Sequence, residues 1–345
     1  MTTDRSRQGR MVTLQQVADH AGVSLATASR ALHGSNRTVR PELRDRVLAS
    51  ARALQYSSHG PAQALARATT SLVGLIVHDV TDPYFSAIAA GAMRVAREHD
   101  LLVMVADTVR EPALELDYLS RLRAQRARAV LLAGSGHADP AFTARLTESL
   151  EAFAGTGGRV AAISHPELAT VDRVQPDNRG GAALVARHFA DLGHRTVGVV
   201  TGPAGLTTVR DRLDGFRDEL ARLDLPEPTV VAGDFTRDGA YRAVPTLLAT
   251  TPTITAIFAL TDLMAAGTLA RLRELDRADI AVAGFSDVPL AADLGLTTVH
   301  LPLPDLGAEA MHLVLSDPPG HPRTIHLPAT LTPRTTSHPA RLEGS

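Results

Sequence analysis

From Leu72 onward, short apolar runs of strand length alternate with amphipathic runs of helical period, and this alternation limits the fold more than any other feature. The predicted strands are Leu72–His78, Leu101–Ala106, Ala129–Ala133, Val160–Ile163, Thr196–Thr201, Thr229–Val231, Ala256–Ala259 and Ile280–Gly284. The predicted helices include Ser86–His99, Gly181–Leu192, Leu213–Leu223 and Asp262–Leu275. This alternation favours an α/β fold of parallel sheets covered on both faces, with ligands at the carboxyl ends of the strands. About 275 residues of it suit two subdomains with a cleft between them.

The first 70 residues differ from the rest of the chain in charge. They hold ten arginines against four acidic residues, a net charge of +6, whereas the remainder carries −8. All 35 basic residues of the chain are arginine. A basic block on an acidic body indicates a nucleic-acid-binding head.

The composition excludes several classes of protein. There is no cysteine, so disulfides, thiolate metal sites and cysteine nucleophiles are excluded. No run reaches the roughly 18 apolar residues of a membrane span. The first ten residues are polar and arginine-rich, unlike a secretory signal. We therefore expect a soluble, cytoplasmic protein without a cofactor or a metal ion.

The head is predicted to contain three short helices. Thr13 and Gln16 form a capping-box pattern that begins the first helix, and Gly22 ends it. Ser24 then caps a second helix over residues 25–32, which makes a helix-turn-helix pattern. Pro41 opens a third helix, which presents one apolar face made of Leu43, Val47, Ala51 and Leu54. Residues 22–26 also resemble a nucleophile elbow, but that motif requires a buried strand before its serine, and here a polar helix precedes it.

Residues 12–34, with Arg44–Val47 and Leu54–Tyr56, resemble the DNA-binding head of the LacI/GalR (lactose-repressor) family. The resemblance implies that the second helix enters the major groove and that Leu25, Ala26 and Arg30 meet base edges. The forked guanidinium of arginine can read guanine, and small apolar side chains can contact a thymine methyl. The implied DNA contacts also include Thr13, Ser24, Thr27 and Ser29 on phosphates, together with His33.

Residues 58–70 link the head to the body. By themselves they predict either a flexible linker or a short helix over Ala62–Arg67. The family resemblance implies a hinge helix that folds only on DNA and wedges Leu65 into the minor groove. Ser58 and His59 stand where the family usually has proline and asparagine, so the start of the hinge differs.

The resemblance continues through nearly the whole body. The matching segments are Gly74–Val77, Asp82–Phe85, Val105–Thr108, Pro176–Gly181, Leu192–Arg195, Gly202–Pro203, Arg212–Arg217, Gly233–Phe235 and Leu296–Val299. It implies the effector-binding core shared with periplasmic sugar-binding proteins, in which the chain crosses three times between subdomains. The N-subdomain is then expected over about 71–168 plus 300–328, and the C-subdomain over about 169–299 plus 329–340.

The resemblance also implies an effector site in the cleft. Its residues here are Asp82, Tyr84, Phe85, Ser135, Ser164, Arg212, Phe235, Thr261 and Ser286. Ser164, Thr261, Ser286 and Leu301 depart from the carboxylates and amides that are usual in the family. A hydroxyl offers fewer paired hydrogen bonds to vicinal hydroxyls than a carboxylate does. The effector is therefore not a simple hexose, or waters fill the shortened contacts, or effector sensing has been lost.

No catalytic motif with meaningful spacing is present. Gly134 and Gly136 follow a strand, but the third glycine of a dinucleotide fingerprint is replaced by Asp139. We expect a transcriptional repressor that binds a pseudo-palindromic operator as a homodimer, with a small-molecule effector, a sugar or related metabolite, that changes hinge order. The tail after Leu331 has no leucine heptad, which favours a dimer over a tetramer. The alternatives are an exported solute-binding protein, a sugar-processing enzyme and an effector-independent regulator.

Overall fold

The computed structural model describes residues 12–33, 39–56, 70–317 and 320–340, and the chain divides into two compact units after residue 70. Within those ranges, no helix combines the length and apolar character needed to cross a membrane. The predicted hinge helix, including Leu65, lies outside the described residues, as does the side chain of His33.

The first unit contains the three predicted helices, α1 (Leu14–His20), α2 (Leu25–His33) and α3 (Pro41–Ala53). The predicted capping box is present, since the Gln16 amide donates to Thr13 Oγ1 at 3.3 Å and the Thr13 amide donates to Gln16 Oε1 at 2.8 Å. Gly22 adopts φ +61° in the turn, where a side chain would be strained. The small core is built from Val17, Ala18, Ala21, Ala28, Ala31, Val47 and Ala51.

The second unit contains twelve strands in the described residues. They are β1 (Leu72–Val77), β2 (Leu102–Asp107), β3 (Ala129–Ala133), β4 (Arg159–Ile163), β5 (Asp172–Pro176), β6 (Val197–Thr201), β7 (Thr229–Ala232), β8 (Ala256–Ala259), β9 (Ala281–Ser286), β10 (Thr297–His300), β11 (Thr324–Leu327) and β12 (Thr330–Thr332). The helices among them are α4 (Pro83–Glu98), α5 (Pro112–Ala124), α6 (Pro140–Ala154), α7 (Asn178–Asp191), α8 (Thr207–Arg222), α9 (Arg237–Thr250), α10 (Asp262–Glu274), α11 (Pro289–Asp293) and α12 (Leu303–Leu315).

The strands form two six-stranded sheets, each the centre of one subdomain. The first has the order β11-β5-β4-β3-β1-β2, and neighbouring strands in it run parallel. The second has the order β12-β10-β9-β8-β6-β7, in which only β12 runs antiparallel to its neighbour. In each sheet the strand order reverses at the strand next to one edge, β1 or β6: the next strand in sequence, β2 or β7, lies on one side of it and the following one, β3 or β8, on the other. A ligand crevice is expected at the carboxyl ends of the strands at such a point.

The expected subdomain boundary at residue 168 is wrong. Strand β5 pairs with β4 and β11 in the first sheet, so the first crossing to the second subdomain follows Pro176. The strand escaped prediction because buried and half-buried residues alternate along it instead of forming an apolar run. Its Asp172 is buried and pairs with Arg323 at 2.6 Å and with Arg159 at 3.5 Å, both from other segments of the chain.

Several helices begin earlier than the apolar pattern predicted. Helix α4 begins at Pro83 because Asp82 Oδ1 accepts the Tyr84 amide at 2.9 Å, which caps its first turn. Helix α8 begins at Thr207, two turns before the predicted start at Leu213. The apolar period therefore located the buried parts of these helices but not their first residues: the Asp82 side chain caps the start of α4, whereas no side chain caps the start of α8.

Candidate functional site

Helix α2 presents the predicted DNA-contacting side chains on its outer face. Ala28 and Ala31 are buried against the other head helices, whereas Leu25, Ala26 and Arg30 are exposed. An exposed leucine at the first position of a short helix is costly in water, and Leu25 leaves 45% of its surface open. This face carries two apolar side chains and one guanidinium, which suits a groove lined by base edges.

The predicted phosphate-contacting hydroxyls lie at the helix starts. Ser24 Oγ accepts the Thr27 amide at 3.2 Å and lies 2.8 Å from Thr27 Oγ1, so these two hydroxyls cap α2 together. Thr13 caps α1 in the same way, and Ser29 is half-buried on α2. Helix starts of this kind attract anions because their amides point outward.

A cleft in the second unit lies at the carboxyl ends of both sheets. Its lining residues are His78, Asp82, Tyr84, Phe85, Arg110, Gly134, Ser135, Thr208, Arg212, Phe235, Thr261, Asp262, Leu263, Ser286 and Val288. Eight of the nine predicted effector residues are therefore brought together. The ninth, Ser164, lies just behind the lining, with its Oγ 3.5 Å from the Tyr84 hydroxyl.

Arg212 is the buried cation of the cleft. Its Nε donates to Asn178 Oδ1 at 2.9 Å, its Nη1 donates to the Leu260 carbonyl, and its guanidinium lies 3.8 Å from the centre of the Phe285 ring. Burial lowers the pKa of Arg212 to about 10, so it remains charged at neutral pH. Among the described residues, no carboxylate lies within ion-pair distance of it. A buried guanidinium held by neutral acceptors is well suited to an oxygen-rich or anionic ligand.

Asp262 is a second buried charge in the cleft wall, and sequence analysis missed it. One carboxylate oxygen accepts the Thr298 hydroxyl and the other accepts the Val288 amide at 2.8 Å. Burial raises the pKa of Asp262 to about 6, although these two hydrogen bonds oppose the rise. Asp262 thus ties the start of α10 to β10 and to the loop after β9.

A contact spans the cleft between the two subdomains. Arg110, after β2, pairs with Asp79 at 2.9 Å and lies 4.0 Å from Asp82 Oδ2. Its guanidinium also lies 5.7 Å from the centre of the Phe235 ring, which belongs to the other subdomain. Burial raises the pKa of Asp82, against the opposing effects of the Tyr84 amide and of Arg110. The mouth of the cleft is therefore bounded by an aromatic ring and a cation.

Two of the predicted effector hydroxyls already have structural partners. Ser135 Oγ accepts the Thr208 amide at 3.0 Å, which joins the first subdomain to the start of α8. Thr261 Oγ1 accepts the Met264 amide at 3.2 Å and caps α10. Ser135 Oγ also donates to the Gly136 carbonyl at 3.3 Å, so its hydrogen is already used, whereas the Thr261 hydroxyl still has a hydrogen to donate to a ligand. Ser164 and Ser286 adopt φ +63° and φ +122°, and both are buried.

His78, Arg110, Thr208 and Val288 line the cleft but were not predicted. His78 follows β1 directly, and Arg110 comes three residues after β2. A search of the last residue of each predicted strand and of the few residues after it would have found these two, because parallel strands present their carboxyl ends to one crevice. Val288, two residues after β9, follows the same rule, whereas Thr208 lies in the first turn of α8, whose start the apolar pattern did not predict.

Comparison with known proteins gives matches over both units. Residues 13–58 match the family model of bacterial regulatory proteins, lacI family, and residues 70–327 match that of periplasmic binding proteins and the sugar binding domain of the LacI family. The ribose operon repressor of Halalkalibacterium halodurans is 29% identical, over 88% of this chain and 90% of that protein. An uncharacterized HTH-type transcriptional regulator in the aml 5′ region of Streptomyces limosus is 32% identical, over 88% of this chain and 87% of that protein. The structure of a CelR–cellobiose complex is 26% identical with a TM-score of 0.68, over 94% of this chain and 100% of that chain.

Proposed function

The chain belongs to the LacI family of bacterial regulatory proteins and is a DNA-binding transcriptional regulator, and from that premise we propose how its own residues act. We propose that it represses transcription from a pseudo-palindromic operator as a homodimer, and that a small polar effector in the cleft controls it. It carries out this role without catalysis, in the cytoplasm where its DNA target lies.

The outward face of α2 supports the assignment of base contacts. Leu25, Ala26 and Arg30 are exposed there, while the capping hydroxyls of Ser24 and Thr27 lie at the start of the helix beside them. In this proposal Arg30 reads a guanine, the two apolar side chains contact thymine methyls, and the hydroxyls meet phosphates. We assign Leu65 to the minor groove on the family resemblance alone.

The proposed effector carries ring hydroxyls or a carboxylate on a compact body. Arg212 supplies charged donors without a competing carboxylate partner in the described part of the chain, and Asp82 supplies an acceptor. Phe235, Tyr84 and Phe85 offer apolar walls to the ring face of a sugar or related metabolite. The relatives named for ribose and for a cellobiose complex are consistent with that class.

The proposed dimer forms along the free edge of the first sheet. Strand β2 is an edge strand, and on it Leu102 and Met104 leave 67% and 47% of their surfaces exposed. Exposed apolar side chains on an edge strand favour association with a second copy. Two heads on one dimer would then read two half-sites, and each would raise the effective concentration of the other.

Effector control follows if the ligand binds one arrangement of the subdomains better than another. Arg110 and Phe235 meet across the cleft, so a ligand between them changes that contact directly. Any shift between the subdomains is passed to the segment before β1 and so to the heads. The coupling free energy equals the difference between the binding free energies of the ligand for the two arrangements.

Arg30→Ala tests the proposed function. We expect the variant to lose about 1–3 kcal/mol at the base that Arg30 reads and to accept other bases there. Binding-site selection from random DNA, with wild type and variant compared, measures this preference. Arg52→Ala is the matched control, because it removes the same charge from α3 and should lower affinity for all sequences equally. An unchanged base preference in Arg30→Ala would refute the proposed readout.

A further inference from the structure

A compact group of metal-binding side chains lies in the first subdomain, beside the cleft. His78 follows β1, Glu115 lies in α5 and His137 follows β3, and one donor atom from each lies within 4.8 Å of the other two. Across residues 12–33, 39–56, 70–317 and 320–340, it is the one group of three such side chains that close together. Donor atoms of a tetrahedral zinc site lie about 3.4 Å apart, so small side-chain rotations would close the set.

The hydrogen bonding of this group is incomplete. His78 Nε2 lies 2.9 Å from Glu115 Oε1, but Glu115 Oε2 and His137 Nε2 are buried with no partner in the described structure. Glu115 is 2% exposed, so water does not reach its carboxylate freely. Buried polar atoms are nearly always paired in folded proteins. Two unpaired atoms in one cluster therefore point to a missing ligand that accepts lone pairs from both.

Two glycines make room for the group. A Cβ added at Gly134 would overlap the His78 ring, and one added at Gly136 would overlap the Glu167 carboxylate. The Gly134–Gly136 segment lacks the third glycine of a nucleotide-binding loop. Its two glycines are instead explained by the close packing of His78 and Glu167 against them. A cavity lined by Leu116, His137 and Phe142 adjoins the cluster and gives a small ion a way in.

Two more side chains of the same types, His165 and Glu167, lie near the three. The His165 ring centre lies 6.5 Å from that of His78, and His165 Nδ1 lies 2.9 Å from Glu167 Oε1. Glu167 Oε2 is also buried without a partner in the described structure. Together with the three, they concentrate histidine and carboxylate side chains in one part of the first subdomain.

We propose that His78, Glu115 and His137 bind a divalent first-row transition-metal ion, with water as a fourth ligand. Two imidazoles and one carboxylate form a set that zinc uses with an open fourth position. Imidazole nitrogen also selects zinc, cobalt or nickel over calcium and magnesium, which prefer oxygen ligands. The members of the set lie far apart along the chain, so no spacing pattern in the sequence signals them.

The position of His137 gives the ion a regulatory consequence. Its backbone pairs with Leu206 of the other subdomain in an isolated β-bridge. On either side, the Ala138 amide donates to the Gly205 carbonyl at 2.7 Å, and the Thr207 amide donates to the Gly136 carbonyl at 2.9 Å. An ion that fixes His137 therefore fixes the segment that joins the subdomains, and it stabilises this arrangement of the cleft.

The test is metal binding by the untagged full-length protein after treatment with a chelator. Titration with Co²⁺ should produce the visible absorption of a tetrahedral site at one ion per chain, and Zn²⁺ should displace it. Glu115→Gln keeps the size of the side chain, and His137→Ala removes a ligand; each should weaken the affinity about 100-fold. His321→Ala, an exposed histidine elsewhere, is the matched control and should bind as wild type does.

A second measurement separates loss of the site from loss of the fold. Excess Zn²⁺ should raise the melting temperature of the wild type and of His321→Ala, but not that of Glu115→Gln. Metal-free Glu115→Gln should give the circular dichroism spectrum of the wild type. Undetectable binding by the wild type, or binding that both cluster variants retain, overturns the proposal and leaves the cluster as a structural hydrogen-bond network. Since no DNA or effector is used, the result is independent of the proposed function.

Discussion

The charge of Asp262 should make the stability of the second unit fall as pH rises. Its carboxyl is 1% exposed, and burial raises its pKa from 3.8 to about 6. The folded state therefore holds a proton that the unfolded state releases. The stabilising effect of this bound proton is complete below about pH 4 and is lost as pH rises through 6. A change in the pKa of Asp262 from 3.8 to about 6 corresponds to about 3 kcal/mol of folding free energy.

Asp262→Asn should remove this dependence without breaking the local hydrogen bonds. The amide oxygen can accept the Val288 amide, and the amide nitrogen can donate to the Thr298 hydroxyl, which can rotate to accept it. At pH 7 to 8 the variant should therefore be more stable than the wild type, by up to about 3 kcal/mol. Below about pH 4 the two should be equal.

Urea unfolding of both proteins at fixed protein concentration, between pH 4 and pH 8, measures this difference. Taking the difference between wild type and variant cancels the other titrating groups, including Asp82. Asp293→Asn, an exposed carboxylate on α11, is the control and should show a flat difference. A flat or oppositely sloped difference for Asp262→Asn would show that its carboxylate is not destabilised by burial.

Two further perturbations test the packing and the assembly. Met104→Glu places a charge on the exposed edge of β2, and sedimentation velocity should show a shift from dimer to monomer with an unchanged circular dichroism spectrum; a persistent dimer would place the interface elsewhere. In Gly91→Ala the new Cβ would overlap the Pro304 carbonyl, so α4 and α12 must separate, and denaturant unfolding should show a loss of about 1–3 kcal/mol. An unchanged midpoint would contradict that close approach.

The sequence predicted the apolar strands well and the polar ones poorly. Strands such as β3 and β8 are buried throughout and read as continuous apolar runs, and both were predicted residue for residue. By contrast, β5, β10, β11 and β12 were missed, because each is short and contains polar residues; in β5, β10 and β11 some of these have partners far along the chain. Asp172 of β5 illustrates this, since Arg159 and Arg323 pair with it from two other segments.

At the candidate sites, too, the sequence predicted some features and missed others. Residues that follow a strand or begin a helix, such as Tyr84 and Phe235, could be placed in the cleft from the family resemblance. The partners of Ser135 and Asp262 could not. Thr208 reaches Ser135 from the other subdomain, and Thr298 reaches Asp262 from a distant strand of the same subdomain. Local patterns thus indicate which side chains face a crevice, whereas hydrogen-bond partners depend on contacts between distant parts of the chain.

The order of the strands has a consequence for synthesis of the protein. The three head helices end at Ala53 and share a core of residues from the first unit, but each sheet gains an edge strand, β11 or β12, from the last part of the chain. At bacterial translation rates, the interval between Ala53 and Thr332 lasts on the order of 10–60 s. During that time the nascent chain carries a folded head on an unfinished body. A single head reads one half-site, so operator occupancy should follow the number of completed chains and not the number being translated.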